Sequence, residues 1–274
     1  MLIDQNTMDN LHSIQLEMLK ELIRVMDLLQ VKYYFVHGSL LGAIRDNEFI
    51  AEDDDIDIAL FREDYNRLMY HGPALLSPQF FLQGSANDRF PLPFGKMRKN
   101  DTAFIQPVLG QINCNKGIYI DIFPLDYENR SLPFRIKKYF LDARISQVLQ
   151  TGPKRWKAKV LKMVSTILYL SYDAALLKRE VLFSSAKKND HLIIYGGKST
   201  EGHMPAAWFD EQVYFPFRDI QVACPSGYVP YLTRIYGEDY LNHNPAGARI
   251  EGKKIEISAD ILDFEKSYLD YLSL

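Results

Sequence analysis

The sequence predicts an α+β fold: a mixed α/β core over residues 1–130, a helical segment over 131–188, and a C-terminal lobe over 189–274 that packs back on the core. Three observations predict it. Short alternating or β-branched runs recur up to Phe123, as strands require. Leu11, Ile14, Met18, Leu22, Val25, Met26 and Leu29 lie at helical spacing near the start. From residue 131 to 188 the period is almost continuously helical.

The elements follow in chain order. Residues 8–30 form a long amphipathic helix. Tyr33–His37 reads as a strand, broken by Gly38-Ser39, and Leu40–Arg45 is helix-compatible with Ser39 as N-cap. After Glu52-Asp53-Asp54-Asp55, the run Ile56-Asp57-Ile58-Ala59-Leu60 alternates like a strand, and Arg62–Tyr70 reads as a helix. Phe80–Gln83, Gly95–Arg98 and Ala103–Gln106 are short strands. In Gly117–Phe123, Ile118, Ile120 and Ile122 point one way and Tyr119, Asp121 and Phe123 the other. Leu132–Gln150, Arg155–Tyr172 and Ala174–Lys188 fit helices, with Gly152-Pro153 separating the first two. Residues 189–225 read as irregular and aromatic, and Val229–Tyr236 and Ile257–Leu272 as helices.

Bulk properties narrow the function classes. The 274 residues are 47% apolar and 24% charged, which excludes disorder as the main state. A net charge of −3 argues against a nucleic-acid-binding domain. Cys114 and Cys224 are too few for a disulfide scaffold or a zinc cluster and read as reduced core thiols. The N-terminus lacks a signal-peptide pattern, and the uncharged run Met163–Tyr172 is too short to span a bilayer. A cytoplasmic protein is expected.

The chemistry lies in the acids. Residues 52–57 hold five acids in six positions, a density whose self-repulsion calls for a compensating cation. On a strand Asp55 and Asp57 share one face while Ile56 and Ile58 anchor the other. Two carboxylates on a rigid strand suit Mg²⁺, a hard cation that leaves positions for water and phosphate. Asp121 repeats the pattern, so neighbouring strands would assemble a triad of Asp55, Asp57 and Asp121 able to hold one or two ions. Asp53 and Asp54 stand as surface charge or as outer ligands, and Asp126 as a turn residue or a partner of a ligand. Gly38-Ser39 at a helix start is a weak phosphate-binding signal. His37, His203 and His243 show no ligand spacing, and His37 reads as a packed residue.

Taken together, His37–Arg45, Phe49–Ile58, Arg62-Glu63-Asp64-Tyr65, Lys96-Met97-Arg98 with Thr102 and Phe104, Ile120–Asp126, and Tyr236-Gly237-Glu238-Asp239-Tyr240 resemble the LicD family, which includes the fukutin-related proteins. That family falls in the nucleotidyltransferase-like superfamily. The resemblance implies a polymerase β-like core with a mixed β-sheet flanked by helices. It implies transfer of phosphocholine or a polyol phosphate from a cytidine diphosphate (CDP) donor to a hydroxyl of a cell-surface glycan or its lipid-linked precursor, such as lipopolysaccharide or teichoic acid. It assigns Asp55 and Asp57, with Asp53 assisting, to Mg²⁺ or Mn²⁺, and Asp121 to the metal or the acceptor proton. Gly38, Ser39, Arg45, Lys96 and Arg98 become candidates for the donor phosphates.

Two departures stand out: Leu241–Arg249 lacks the expected proline pair, and Arg218 replaces an acid. Two alternatives stay open, a nucleotidyltransferase releasing pyrophosphate and an inactive binding module. Between Arg130 and Lys162 lie ten Lys/Arg and one acid, Asp142, so the segment 130–172 reads either as a solvated helical face or as a peripheral contact with the inner membrane surface.

Overall fold

The computed structural model describes residues 1–109, 112–149, 163, 164, 166, 167, 171–196, 203–242, 250, 251 and 254–272. The chain begins with strand β1 (Leu2–Ile3) and helix α1 (Gln5–Leu29), whose N-terminus is capped by the Asp4 carboxylate accepting from the Thr7 N–H. Strand β2 (Tyr34–Phe35) leads into helix α2 (His37–Arg45). The N-cap of α2 is Val36, without a side-chain cap, so Ser39 lies inside the helix and does not cap it. Its hydroxyl is used elsewhere, accepting from the Asp57 N–H at 2.8 Å.

Strand β3 (Asp57–Phe61) passes directly into helix α3 (Arg62–His71). Strands β4 (Phe80–Gln83), β5 (Gly95–Lys99), β6 (Ala103–Ile105) and β7 (Tyr119–Tyr127) follow. Helices α4 (Leu132–Leu149) and α5 (Tyr172–Ser184) pack on each other through Leu141 and Ile145 against Tyr172, Ala175 and Leu176. Strands β8 (His191–Ile194) and β9 (Met204–Pro205), the hairpin β10 (Gln212–Phe217) and β11 (Ile220–Pro225), and helix α6 (Tyr228–Tyr236) come next. Strands β12 (Ile250–Glu251), β13 (Lys254–Glu256) and β14 (Ile261–Asp263) precede a 3₁₀ turn at Tyr268–Tyr271.

The central sheet runs β2-β3-β7-β5-β4, with β8 pairing the C-terminal end of β7 and β9 pairing β8. Its β3–β7 pair is parallel and the other pairs are antiparallel. This is the mixed sheet flanked by helices of an α+β fold. Helices α1 and α3 pack on β7. The apolar face, with Ile58, Ile120 and Ile122 opposite Met97, joins the Met18, Leu22 and Val25 stripe of α1 in one core.

Three further expectations are corrected. More than half of the described residues of 189–225 lie in strands β8 to β11, because the Pro216 and Pro225 that suggest irregular chain are accommodated in a two-stranded ribbon. Ile257–Leu272 is not a helix. Its helical spacing is overridden by the β6–β14 pairing and by the Ile257 N–H donating to the Met1 carbonyl at 2.9 Å, which satisfy its backbone against distant segments. Asp55 lies just ahead of β3, although the ladder begins one residue early through the Asp121 N–H donating to the Ile56 carbonyl at 2.8 Å. The helix expected over 155–172 lies for the most part outside the described residues, as do His243 and the 243–249 part of the departing segment. Among the described residues no helix is long and apolar enough to cross a membrane.

Candidate active site

The parallel β3–β7 register sets Asp57 directly opposite Asp121, and the antiparallel β7–β5 register sets Lys96 opposite Asp121 on the other side. Three strands thus line up acid, acid and ammonium. Asp55, Asp57 and Asp121 each offer a carboxylate oxygen within 4.8 Å of the others, and Asp53, Asp54 and Asp55 form a second such group sharing Asp55. Like charges this close raise the cost of ionisation. Burial, with Asp57, Asp53, Asp54 and Asp121 nearby, holds the Asp55 carboxyl well above the usual carboxylate range. Burial pushes Asp121 up to about 6, against the opposing pull of the Lys96 ammonium.

Lys96 is buried, ion-paired with Asp121, and lies 3.4 Å from the centre of the Tyr119 ring. Arg98 is fully buried: its Nε donates to Gln83 Oε1 and its Nη1 to the Gly117 carbonyl, both at 2.8 Å. It sits behind Tyr119 and not at an open surface. Arg45 is further out, in an ion pair with Asp46, on a cavity of about 420 Å³ lined also by Phe49, Ala51 and Glu52. Of the five residues implied to hold phosphates, Ser39 and Lys96 make direct bonds to residues of the triad. Gly38 faces the acidic loop: a Cβ there would collide with the Asp53 carboxylate. Glycine lets Asp53 close on the start of α2.

The acidic loop is held from below and behind. His12 Nε2 lies 2.7 Å from the Asp53 carbonyl, and Gln15 Nε2 donates to the Asp54 carbonyl at 2.8 Å and to that of Tyr119 at 3.4 Å. The Asp54 side chain is buried and accepts from the Ser258 N–H at 2.5 Å, so the segment after β13 closes over the loop. His12 and Gln15 were readable as polar interruptions in the apolar stripe of α1, a signal weaker than the acids themselves.

His37 is a second residue that pattern reading underrates. It is buried and packed edge-on to Phe123, but its Nδ1 also lies 3.3 Å from Asp57 Oδ2. Its φ of 51° turns the backbone from β2 into α2. His203 is elsewhere, stacked on His191 and paired with Glu128. Asp126 is neither in a turn nor beside the triad. It is buried within β7 and takes both Nε (2.7 Å) and Nη2 (2.6 Å) of Arg62. Cys114 and Cys224 are free and buried, with burial pushing their thiols up to about 11 and about 12.

The all-carboxylate, partly buried donor set suits a hard divalent cation, whose charge would offset the burial and the repulsion that hold Asp55 and Asp121 above their ordinary range. Two comparisons bear on the family. Residues 30–146 match the family model described as LicD/FKTN/FKRP, nucleotidyltransferase domain. The chain is also 28% identical over 235 residues to the lipopolysaccharide cholinephosphotransferase LicD of Haemophilus influenzae, covering 79% of this chain and 84% of that protein. The resemblance carried by the motifs is borne out.

Proposed function

We propose that this chain, LicD-like over residues 30–146, is a phosphotransferase with a nucleotidyltransferase-type core that moves phosphocholine or a polyol phosphate from a CDP-activated donor to a glycan hydroxyl. The observation that carries the reading is the convergence within 4.8 Å of Asp55, just ahead of β3, with Asp57 and Asp121 on the parallel pair β3 and β7. The named activity of the Haemophilus influenzae relative supports the substrate class.

Asp55 and Asp57 would hold Mg²⁺, or Mn²⁺ in its place, with Asp53 assisting from its position against Gly38. When bound, the ion neutralises charge on the transferring phosphoryl group and favours in-line displacement. Asp121 either completes the ligand set or takes the proton of the acceptor hydroxyl as that oxygen bonds to phosphorus. The bond from phosphorus to cytidine monophosphate breaks, and a phosphodiester is left on the glycan. Lys96 keeps Asp121 oriented, and His37 does the same for Asp57. Arg45, on the open cavity near the acidic loop, is the phosphate contact of longer reach. Arg98 braces Tyr119 from within the core.

The test is release of cytidine monophosphate from CDP-choline, CDP-ribitol and CDP-glycerol with Mg²⁺, with and without EDTA. EDTA-sensitive release from one donor supports the reading and identifies the alcohol. Pyrophosphate release from a nucleoside triphosphate, with none from these donors even when acceptor is supplied, overturns it in favour of nucleotidyl transfer.

A further inference from the structure

Helix α4 is apolar on two opposite faces. Phe134, Leu141 and Ile145 are buried, against α5 and Tyr195. Leu132, Ile136 and Tyr139, offset by four and three residues, fall on the opposite side of a 3.6-residue helix and are 66%, 48% and 61% exposed. A helix that needs only to cover a core places polar residues on that outer face. Helix α5 repeats the arrangement: Ala175, Leu176 and Phe183 are buried, while Leu177 and Val181, one turn apart, stand outward. Scattered exposed apolar residues need no explanation, but a spaced stripe opposite the packed face does.

Charge indicates what covers it. Arg135 and Lys137 flank the α4 stripe, one on each side, and both are exposed. The single acid between residues 130 and 162, Asp142, is neutralised by Lys138 at 2.6 Å. A second copy of this chain would bring like-charged surfaces together, which opposes association. An anionic lipid surface meets both requirements, taking apolar side chains below its headgroups and basic ones among them.

We infer that the outer face of α4 is a docking surface for an anionic membrane, with Leu132, Ile136 and Tyr139 inserting and Arg135 and Lys137 at the headgroups. The contact is peripheral, and it holds an enzyme or a binding module alike at the bilayer surface, whatever the alcohol transferred.

The experiment is co-sedimentation of the full chain with vesicles of phosphatidylcholine alone and of phosphatidylcholine with phosphatidylglycerol, at low and high salt. Wild type should partition onto the anionic vesicles at low salt and be released by high salt. Ile136→Ser with Tyr139→Ser should lower that partition about tenfold, and Arg135→Glu with Lys137→Glu by a similar factor. Both substitution pairs are exposed, so melting temperature and release of cytidine monophosphate from a soluble donor should not change. No partition at low salt overturns the inference, as does equal partition onto both vesicle types. Full retention by the Ile136→Ser, Tyr139→Ser variant places the binding elsewhere and also overturns it. A wild-type dimer in sedimentation velocity that the same variant dissociates would assign the face to a second copy instead.

Discussion

Asp57 and Asp121 stand opposite each other on adjacent parallel strands, which puts two carboxylates side by side without any loop to adjust them. Their separation is fixed by the sheet. Asp57→Asn should therefore lower turnover by about three orders of magnitude or more while leaving the fold intact. Without metal, removing one of three repelling acids should hold or raise the melting temperature, by about 2–4 °C for each ~1 kcal/mol of repulsion relieved. Cytidine monophosphate release and a thermal melt in EDTA check both parts. An active Asp57→Asn protein would remove the metal reading.

Lys96 gives a second test. Its ion pair with Asp121 is buried, and breaking such a pair typically costs about 3–5 kcal/mol because the other charge is left alone. Lys96→Met should be strongly destabilised in EDTA and should recover more of its stability in Mg²⁺ than wild type does. Adding Asp121→Asn to Lys96→Met should restore metal-free stability, which denaturant midpoints would register. A protein equally destabilised with and without Mg²⁺ would make Lys96 a packing residue only.

Gly38 is predicted to be intolerant of even one methyl group. Gly38→Ala drives a Cβ into the Asp53 carboxylate, so the acidic loop must shift. The expected outcome is a rise of about tenfold in the Mg²⁺ concentration for half-maximal activity, with a stability loss within the usual ~0.5–3 kcal/mol of point substitutions. A magnesium titration of activity beside a urea melt separates the two effects.

How much of this was legible in the sequence differs by residue. Asp57 and Asp121 were, because isoleucines on both sides of each fix which face the acid takes. That their strands are neighbours was a condition, not a reading, since periodicity describes a strand and not its partner. Lys96 shows the limit: alternation gives its face, but only the β5–β7 register brings it to Asp121. His12 and Gln15 sit in an otherwise apolar stripe, and what they hold lies about forty residues away in sequence. Strand β14 was missed because its pairing partner, β6, outweighs local helical spacing.

Asp126 supplies a control. Its two bonds with Arg62 tie β7 to the start of α3, on the opposite side of the sheet from the triad. Asp126→Asn should cost about 1.5–3 kcal/mol, since Arg62 loses its bidentate charge-assisted partner and keeps Glu180 at 3.2 Å. Activity per folded molecule should stay near wild type. A specific loss of turnover with unchanged stability would place Asp126 in the chemistry instead.

Glu21 predicts part of the acid limb of stability. Arg24, and then the Ser77 N–H and hydroxyl, hold its carboxyl down at about 2. A depressed folded-state value means stabilisation that is fully present above the unfolded value, near 4.5, and lost as pH falls toward about 2. Glu21→Gln should therefore be less stable than wild type at neutral pH, and the gap should narrow below about pH 4.5. Urea midpoints of both proteins across that window check the sign.

The bond from Ser258 to Asp54 also has a consequence during synthesis. The acidic loop leaves the ribosome soon after the helix that supports it, whereas Ser258 follows Asp54 by 204 residues. Contacts of such long sequence separation form late. Until Ser258 emerges the nascent chain therefore carries the acidic run without this closing bond, and the loop reaches its final form later than the strands on either side of it.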